Sequence, residues 1–448
     1  MLHEETEQTE TEQTEQTFQE RAVLIGVVTG DSDEAIREAE ASIAELKSLA
    51  EAAGATVVLH ALQRRARPDA ATFAGSGKIT ELRDGGKLQN ANLIIFDNEL
   101  SGSQIRNIER LSGMKVIDRT LLILDIFAKR ANSREGRLQV ELAQQTDRLS
   151  RLTGMGLALS RLGGGIGTRG PGETQLESDR RHIMRRVRVL RKELDRISER
   201  RDRTREHRRG ESIRSVAIVG YTNAGKSTLM NRLCDSDVLV MDQVFATLDP
   251  TARRIRLPDQ QQVLAVDTVG FIRRLPHGLV DAFKATLEEV TECDVILEVI
   301  DTADPDVDHH LAVVEQILNE LKASEKPRIL VLNKTDKVVG EPDPYIAALF
   351  NQVRGRSAER TVQTSAVTGA GIEDLLFAIS ELTRSQLVEM ELLIPFQDSE
   401  RLDYIRQFGK IDHMSYESGG IRLHAHLETD RVGPLLRFIR LAQNPTEE

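Results

Sequence analysis

"VAIVGYTNAGKSTLMNRL", residues 216–233, passes from an unbroken apolar run through a glycine-bounded loop into a segment with helical spacing. Gly220, Gly225, Lys226 and Ser227 fit the pattern G-x-x-x-x-G-K-[ST], which carries weight here because a strand precedes it and a helix follows. Along Gly220, Tyr221, Thr222, Asn223, Ala224 and Gly225, successive backbone N–H groups can wrap a chain of phosphates. The helix that starts with Lys226, Ser227 and Thr228 adds its positive end. Lys226 is expected to reach the β and γ phosphates and the Ser227 hydroxyl to ligate Mg2+. A phosphate loop in this context belongs to an α/β domain with a helix-covered, mainly parallel sheet.

Further along, "VLAVDTVGF" reads as a buried strand ending in Asp267, Thr268, Val269 and Gly270. A carboxylate at Asp267 can hold magnesium through water, and the Gly270 N–H can sense a γ phosphate. "ILVLNKTD" ends another strand with Asn333, Lys334 and Asp336. The Asp336 carboxylate can accept from both the N1–H and the exocyclic amine of guanine. Adenine presents an acceptor at N1 and would leave that carboxylate unpaired, so the site selects GTP and GDP over ATP. "QTSAVTGAG" then brings Ser365, Ala366 and Val367 to the base from the next strand end. Between the loop and Asp267 lies "FATLDPTARR", where a switch threonine should complete the magnesium shell; Thr247 is the expected ligand and Thr251 its rival. Lys226, Thr247 and Gly270 form the expected catalytic set.

Two residues bear on turnover. Phe271 stands after Gly270, where many GTPases carry a glutamine that orients the attacking water, and it has no polar atom to offer. Intrinsic hydrolysis should therefore be slow, with a partner or another group completing the site. Asn223 resembles the asparagine of potassium-activated GTPases, in which a bound K+ does part of an arginine finger's work; the bland alternative is an ordinary loop residue.

Upstream, Ile183, Val187, Leu190, Leu194 and Ile197 alternate at spacings of four and three, and Leu138, Leu142, Gln145, Leu149 and Leu152 keep the same rhythm. Two such helices pair as an antiparallel hairpin, residues 134–212, with the loop Gly163 to Gly172 at its tip. From Ser178 to Arg209 there are fourteen Lys or Arg against six Asp or Glu, a local balance of +8 in a chain of net charge −11. A basic rod on an acidic protein points to a polyanion such as an RNA backbone; the alternative is a solvated helix face. The arm has no aromatic residues for base stacking, which favours phosphate and shape contacts. The tip "GGGIGTRGPGETQLE" exceeds the 2 to about 8 residues of a plain helix connection. Its glycines leave the backbone without side-chain bulk beside the single charge of Arg169.

The ends are simpler. "EETEQTETEQTEQT" is acidic and almost free of apolar residues, so residues 1–20 should form a disordered tail. "AVLIGVV", "ATVVLHAL" and "ANLIIFDNEL" read as strands around a helix at residues 33–53, giving an α/β domain over 21–133. The segments that follow are the hairpin arm, a GTPase domain over 213–384, and a small α+β domain over 385–448. In that last domain "LVEMELLIPF" and "GIRLHAHL" are strands and residues 400–408 and 431–441 amphipathic helices. His424 and His426 share a strand face and read as surface histidines without carboxylate partners. Cys234 and Cys293 match neither a metal nor a disulfide spacing. No apolar run reaches the roughly 20 residues of a membrane span and no export signal is visible, so a cytoplasmic protein without an integral membrane segment is expected.

"FAGSGKITEL", "VIDRTLLILDIFAKRA", "GGGIGTRGPGETQLE", "GYTNAGKST", "FATLDPT", "DTVGF" and "NKTD" together resemble the HflX family of translational GTPases over nearly the whole chain after the acidic tail. The resemblance implies a monomeric factor that binds the large ribosomal subunit and, with GTP bound, separates stalled or idle ribosomes under stress. It also implies that arm and tip lie against ribosomal RNA near the peptidyl-transferase region, and that the first domain binds ATP. There "TFAGSGK" departs from a phosphate loop at both ends, with Thr72 in place of the first glycine and Ile79 in place of the magnesium-binding hydroxyl; Gly75 and Gly77 then read as turn residues. The competing reading is an RNA-binding factor that uses GTP in large-subunit maturation. A membrane-linked signalling GTPase finds no support, since no lipidation motif is present.

Overall fold

The computed structural model describes residues 20–160, 171–210, 213–234, 245, 251–273, 287–338, 358–383, 387–428 and 432–439. Two compact units separate, Met1–Ile379 and Ser380–Glu448.

The first unit opens with β1 (Arg21–Thr29), β2 (Thr56–Arg65), β3 (Leu93–Phe96) and β4 (Lys115–Asp118), a parallel sheet in the order β2-β1-β3-β4. A strand's side chains alternate between faces, so β1 feeds two cores. Ala22 and Leu24 pack with Leu46 of α1 (Asp33–Ala52) and Phe127 of α4 (Arg119–Arg130). Val23 and Ile25 pack with Leu82 of α2 (Ser76–Leu88) and Ile108 of α3 (Gly102–Ser112). Local chemistry sets the helix ends. Ser32 accepts from the Ala35 N–H and Asp118 from the Leu121 N–H, while Ser101 and Gln104 form a reciprocal cap on α3. Gly113, with φ of 68°, ends α3 in the left-handed conformation that a side chain would resist.

Next come α5 (Arg134–Ser160) and α6 (Pro171–Gly210), antiparallel to one another. Glu135 pairs with Arg201 at 2.6 Å near one end and Glu141 with Arg186 at 2.6 Å farther along. On α6, Val187 and Leu190 are buried while Arg185, Arg188, Arg191 and Lys192 face out, as the heptad spacing requires. Helix α5 is two-sided: beside its seam, Val140 and Ala143 join the core that holds Phe127. The tip differs from expectation at its C-terminal side, because α6 begins at Pro171 and takes in Gly172. Proline's fixed φ suits a first helical position, where its missing N–H costs nothing. Residues 161–170, with Arg169, lie outside the described residues.

The second sheet of this unit comprises β5 (Ser215–Gly220), β6 (Thr251–Arg256), β7 (Gln262–Asp267), β8 (Val295–Asp301), β9 (Arg328–Asn333) and β10 (Ala358–Gln363). Their order is β10-β9-β8-β5-β7-β6, parallel except for the edge strand β6. Around it stand α7 (Lys226–Leu233), α8 (Val307–Glu320) and α9 (Ile372–Thr383). The carboxyl ends of β5, β7, β9 and β10 lie along one edge, where open α/β sheets bind ligands.

In the second unit β11 (Leu387–Ile394), β12 (Gly409–Glu417) and β13 (Gly420–Glu428) form an antiparallel sheet in the order β11-β13-β12. Leu392, Leu423, Ala425 and Leu427 bury its inner face against Ile405 of α10 (Glu400–Phe408). Two expectations are corrected here. Residues 433–438 form a short 3-10 helix, with Pro434 in its first turn, where an amphipathic α-helix was expected. His424 and His426 do have carboxylate neighbours: Nδ1 of His424 is 3.4 Å from Glu389 and Nδ1 of His426 is 2.6 Å from Asp412. Cross-strand pairing supplies partners that no sequence window shows. Among the described residues no cluster of three His, Cys, Asp or Glu could hold a metal ion.

Candidate nucleotide site

The phosphate loop leaves β5 at Gly220, whose φ is 151°; a Cβ there would lie 2.3 Å from the Val299 carbonyl oxygen of β8. Only glycine lets the strand turn so close to its neighbour. Asn223 is exposed with φ of 62°, a conformation asparagine tolerates better than most residues. At Gly225 a Cβ would meet Asn333 Nδ2 at 2.4 Å. Asn333, fully buried, uses that nitrogen to donate to the Ala224 carbonyl at 2.9 Å and accepts from the Ala366 N–H at 3.1 Å. One side chain thus ties the phosphate loop to both base-side loops.

Lys226 is buried, and its Nζ donates to the Tyr221 carbonyl at 2.7 Å. Burial pushes its pKa down to about 8; Asp267 opposes the shift and Lys334 adds to it. Ser227 Oγ donates to Asp267 Oδ2 at 2.8 Å, which sets two hard oxygen donors side by side. Such a pair suits Mg2+. Thr268 turns inward and donates to the Ile218 carbonyl at 2.7 Å, fastening the end of β7 to β5. Gly270 faces the loop, and a Cβ there would lie 2.9 Å from both Lys226 Nζ and Thr222 Cγ2. The next residue, Phe271, pairs with the loop through its backbone: the Thr222 N–H donates to its carbonyl at 2.8 Å and its own N–H to the Gly220 carbonyl at 3.1 Å. Its ring is buried with Leu287 and Val290.

On the base side, Asp336 accepts from Ser365 Oγ at 2.5 Å, and that hydroxyl accepts from the Thr368 N–H at 3.1 Å. Lys334 Nζ lies 2.7 Å from Asp301 Oδ2. Val367 is exposed at the rim. The sequence-derived residues of the loop, of Asp267 to Gly270, of Asn333 to Asp336 and of Ser365 to Val367 therefore meet at one sheet edge. Thr247 lies outside the described residues; Thr251 opens β6, in register with Asp267. The "TFAGSGK" segment is built differently. Gly75 caps α2, Gly77 falls within the helix rather than in a turn, Lys78 pairs with Glu81 at 2.7 Å, and Ile79 points into the core.

Behind the loop lies a layer that sequence reasoning missed. Tyr221 Oη donates to Glu45 Oε1 of α1 at 2.5 Å and accepts from the Arg273 N–H at 2.8 Å. Arg119 donates to Glu45 Oε2 from both terminal nitrogens at 3.1 and 3.2 Å, and to Asp97 Oδ1 at 3.2 Å. Arg273 Nη2 donates to Asp306 at 2.8 Å, and the His310 ring stacks on Tyr221 with centroids 3.7 Å apart. Burial holds Glu45 above the ordinary carboxylate range against the pull of Arg119, Tyr221 and Arg273. Burial and the Glu45 charge together push the Tyr221 hydroxyl up, and burial pushes His310 down.

Comparisons with known proteins agree with this layout. Residues 40–128 match the family model described as GTP-binding GTPase N-terminal, 130–208 the GTP-binding GTPase Middle Region and 215–334 the 50S ribosome-binding GTPase. A GTPase HflX of Caldanaerobacter subterraneus subsp. tengcongensis is 44% identical over 94% of this chain and 94% of its own length. The chain belongs to the HflX family. GTPase HflX of Escherichia coli strain K12 is 41% identical over 90% of this chain and 92% of its own. Membership makes the chain a GTPase, and the middle-region match covers residues 130–208, most of α5 and α6. A GTP-binding protein from Sulfolobus solfataricus, solved in complex with GDP, aligns over 81% of this chain and 98% of its own at 26% identity and a TM-score of 0.44. That superposition is too loose to add to the fold. No described helix is long and apolar enough to cross a membrane.

Proposed function

We propose that this HflX-family GTPase binds the large ribosomal subunit in the cytoplasm and, with GTP bound, drives stalled or idle ribosomes apart into subunits. The observation that carries the reading is the pairing of a guanine-nucleotide site with a rod whose exposed face bears Arg180, Arg181, Arg185, Arg188, Arg191 and Lys192. Such a stripe is sized for a phosphate backbone, and it neither stacks on bases nor needs to read them. In this reading Asp336 selects guanine, Asn333 holds the loops together, and Lys226 neutralises the β and γ phosphates. Ser227 and Asp267, with Thr247, would hold Mg2+, which when bound screens the charge that develops on the phosphates. Asn223 stands exposed on the loop where a K+ ion would assist the same charge. Gly270 reports the γ phosphate through its N–H, so the GTP and GDP forms differ in the segment that runs to Arg273. With Phe271 buried, the group that places the attacking water comes from the bound ribosome, which makes hydrolysis a consequence of binding.

The experiment is sedimentation of intact ribosomes after incubation with the protein and a non-hydrolysed GTP analogue. Conversion to free subunits supports the reading. Binding confined to immature large subunits, with intact ribosomes left whole, would replace it with a role in maturation.

A further inference from the structure

The buried cluster around Tyr221 adds a residue to the hydrolytic machinery that lies outside the GTPase sheet. Tyr221 follows Gly220, and its carbonyl accepts from the Lys226 ammonium. Its hydroxyl accepts from the Arg273 N–H, three residues beyond Gly270, and donates to Glu45 of the first sheet's α1. One phenol therefore joins the first domain to both backbone segments that face the phosphates. Apolar contacts run parallel to it: Phe245, Val269 and Ile272 lie in the core that holds Leu46 and Phe127, with the Phe127 and Phe245 rings 4.6 Å apart. For packing alone a phenylalanine would serve, because a buried hydroxyl and carboxylate carry a desolvation cost unless they are used. Here the Tyr221 hydroxyl is spent on the Arg273 N–H and on one oxygen of Glu45, whose other oxygen takes Arg119. Arg119, held by Asp97 and by the Ser42 carbonyl, anchors Glu45 from the opposite side.

We propose that Glu45 is a positioning residue for GTP hydrolysis. Through the Tyr221 hydroxyl it fixes the backbone from Asp267 to Arg273, and with it the Gly270 N–H, so the first domain sets the geometry in which the γ phosphate is sensed. The test is single-turnover hydrolysis by the full chain with Tyr221→Phe, Glu45→Gln and the double variant, together with GTP and GDP affinities and melting temperatures. Tyr221→Phe keeps the ring and its stacking on His310. It should lower the rate at saturating GTP about five- to tenfold while both affinities stay within about twofold, since the interaction acts on the transition state rather than on binding. The double variant should be no slower than the slower single one, because residues acting through one contact are not additive. An unchanged or faster rate in Tyr221→Phe, a loss expressed only in affinity, or fully additive losses would each overturn the proposal. If Glu45→Gln does not fold, because Arg119 is left without its charge partner, Tyr221→Phe decides alone.

Discussion

At the scale of single residues, the site works by denying space and water. Lys226 shows it best. Its pKa of about 8 lies below the 10.5 of an ordinary lysine, so between those values the unfolded chain holds a proton that the folded chain has lost. This group therefore makes stability rise with pH across that window. A bound polyphosphate favours the ammonium, so nucleotide binding at about pH 8.5 should take up a proton that binding at about pH 7 does not. Calorimetry in two buffers of different ionisation heat reads this directly; absence of uptake at the higher pH would mean that the free lysine is not depressed. Asn223 makes a second residue-scale prediction: turnover should be faster in potassium than in sodium, and Asn223→Ala should abolish the difference. Equal rates in both salts would reduce Asn223 to a loop residue suited to positive φ. Most residues of this site were legible in the sequence, because a phosphate loop and guanine recognition require fixed residue types at the ends of successive strands. Glu45 and Arg273 were not: Glu45 is 176 positions from Tyr221, and an acidic residue on a helix carries no mark of its partner.

At the scale of elements, period and capping account for most of what was expected. The four-and-three spacing placed the seam of α6, where Val187 and Leu190 are buried between exposed arginines. The same logic missed the second face of α5, since Val140 and Ala143 lie off the seam and look like ordinary helix residues until the first domain packs on them. Strand β8 hides a further feature. Glu298 is buried beside Arg328, at 3.6 Å, and burial pushes its pKa up to about 7 while Arg328 opposes and Glu315 reinforces the shift. The folded chain then holds a proton between about pH 4.5 and 7 that the unfolded chain has lost, so this group's contribution is present at low pH and lost as pH rises. Relative to wild type, Glu298→Gln should flatten that decline, with a difference on the order of 1–3 kcal/mol between the ends of the window. Denaturant unfolding of both proteins across that range checks it; parallel curves would show that Glu298 stays ionised throughout.

At the scale of the whole molecule, sequence named the family because its motifs are spread over most of the chain, and the Caldanaerobacter and Escherichia coli relatives align over 94% and 90% of it. What it did not convey is how the first domain meets the nucleotide loops within Met1–Ile379, where Glu45 takes the Tyr221 hydroxyl and pairs with Arg273 beside the apolar contacts of Phe245, Val269 and Ile272. Phe271 is buried in the core and the arm carries a +8 stretch from Ser178 to Arg209, the two features on which the proposed role of a polyanionic partner rests. The central claim is that the large ribosomal subunit completes the site. The direct test is GTP turnover with and without purified large subunits, for wild type and for a variant with Arg181, Arg185 and Arg188 changed to glutamine. Wild type should be slow alone and stimulated at least about tenfold by the subunit, as partner-completed GTPases are, while the variant keeps the slow rate and loses most of the stimulation. Fast turnover alone, indifferent to subunits and to the arginines, would contradict the account.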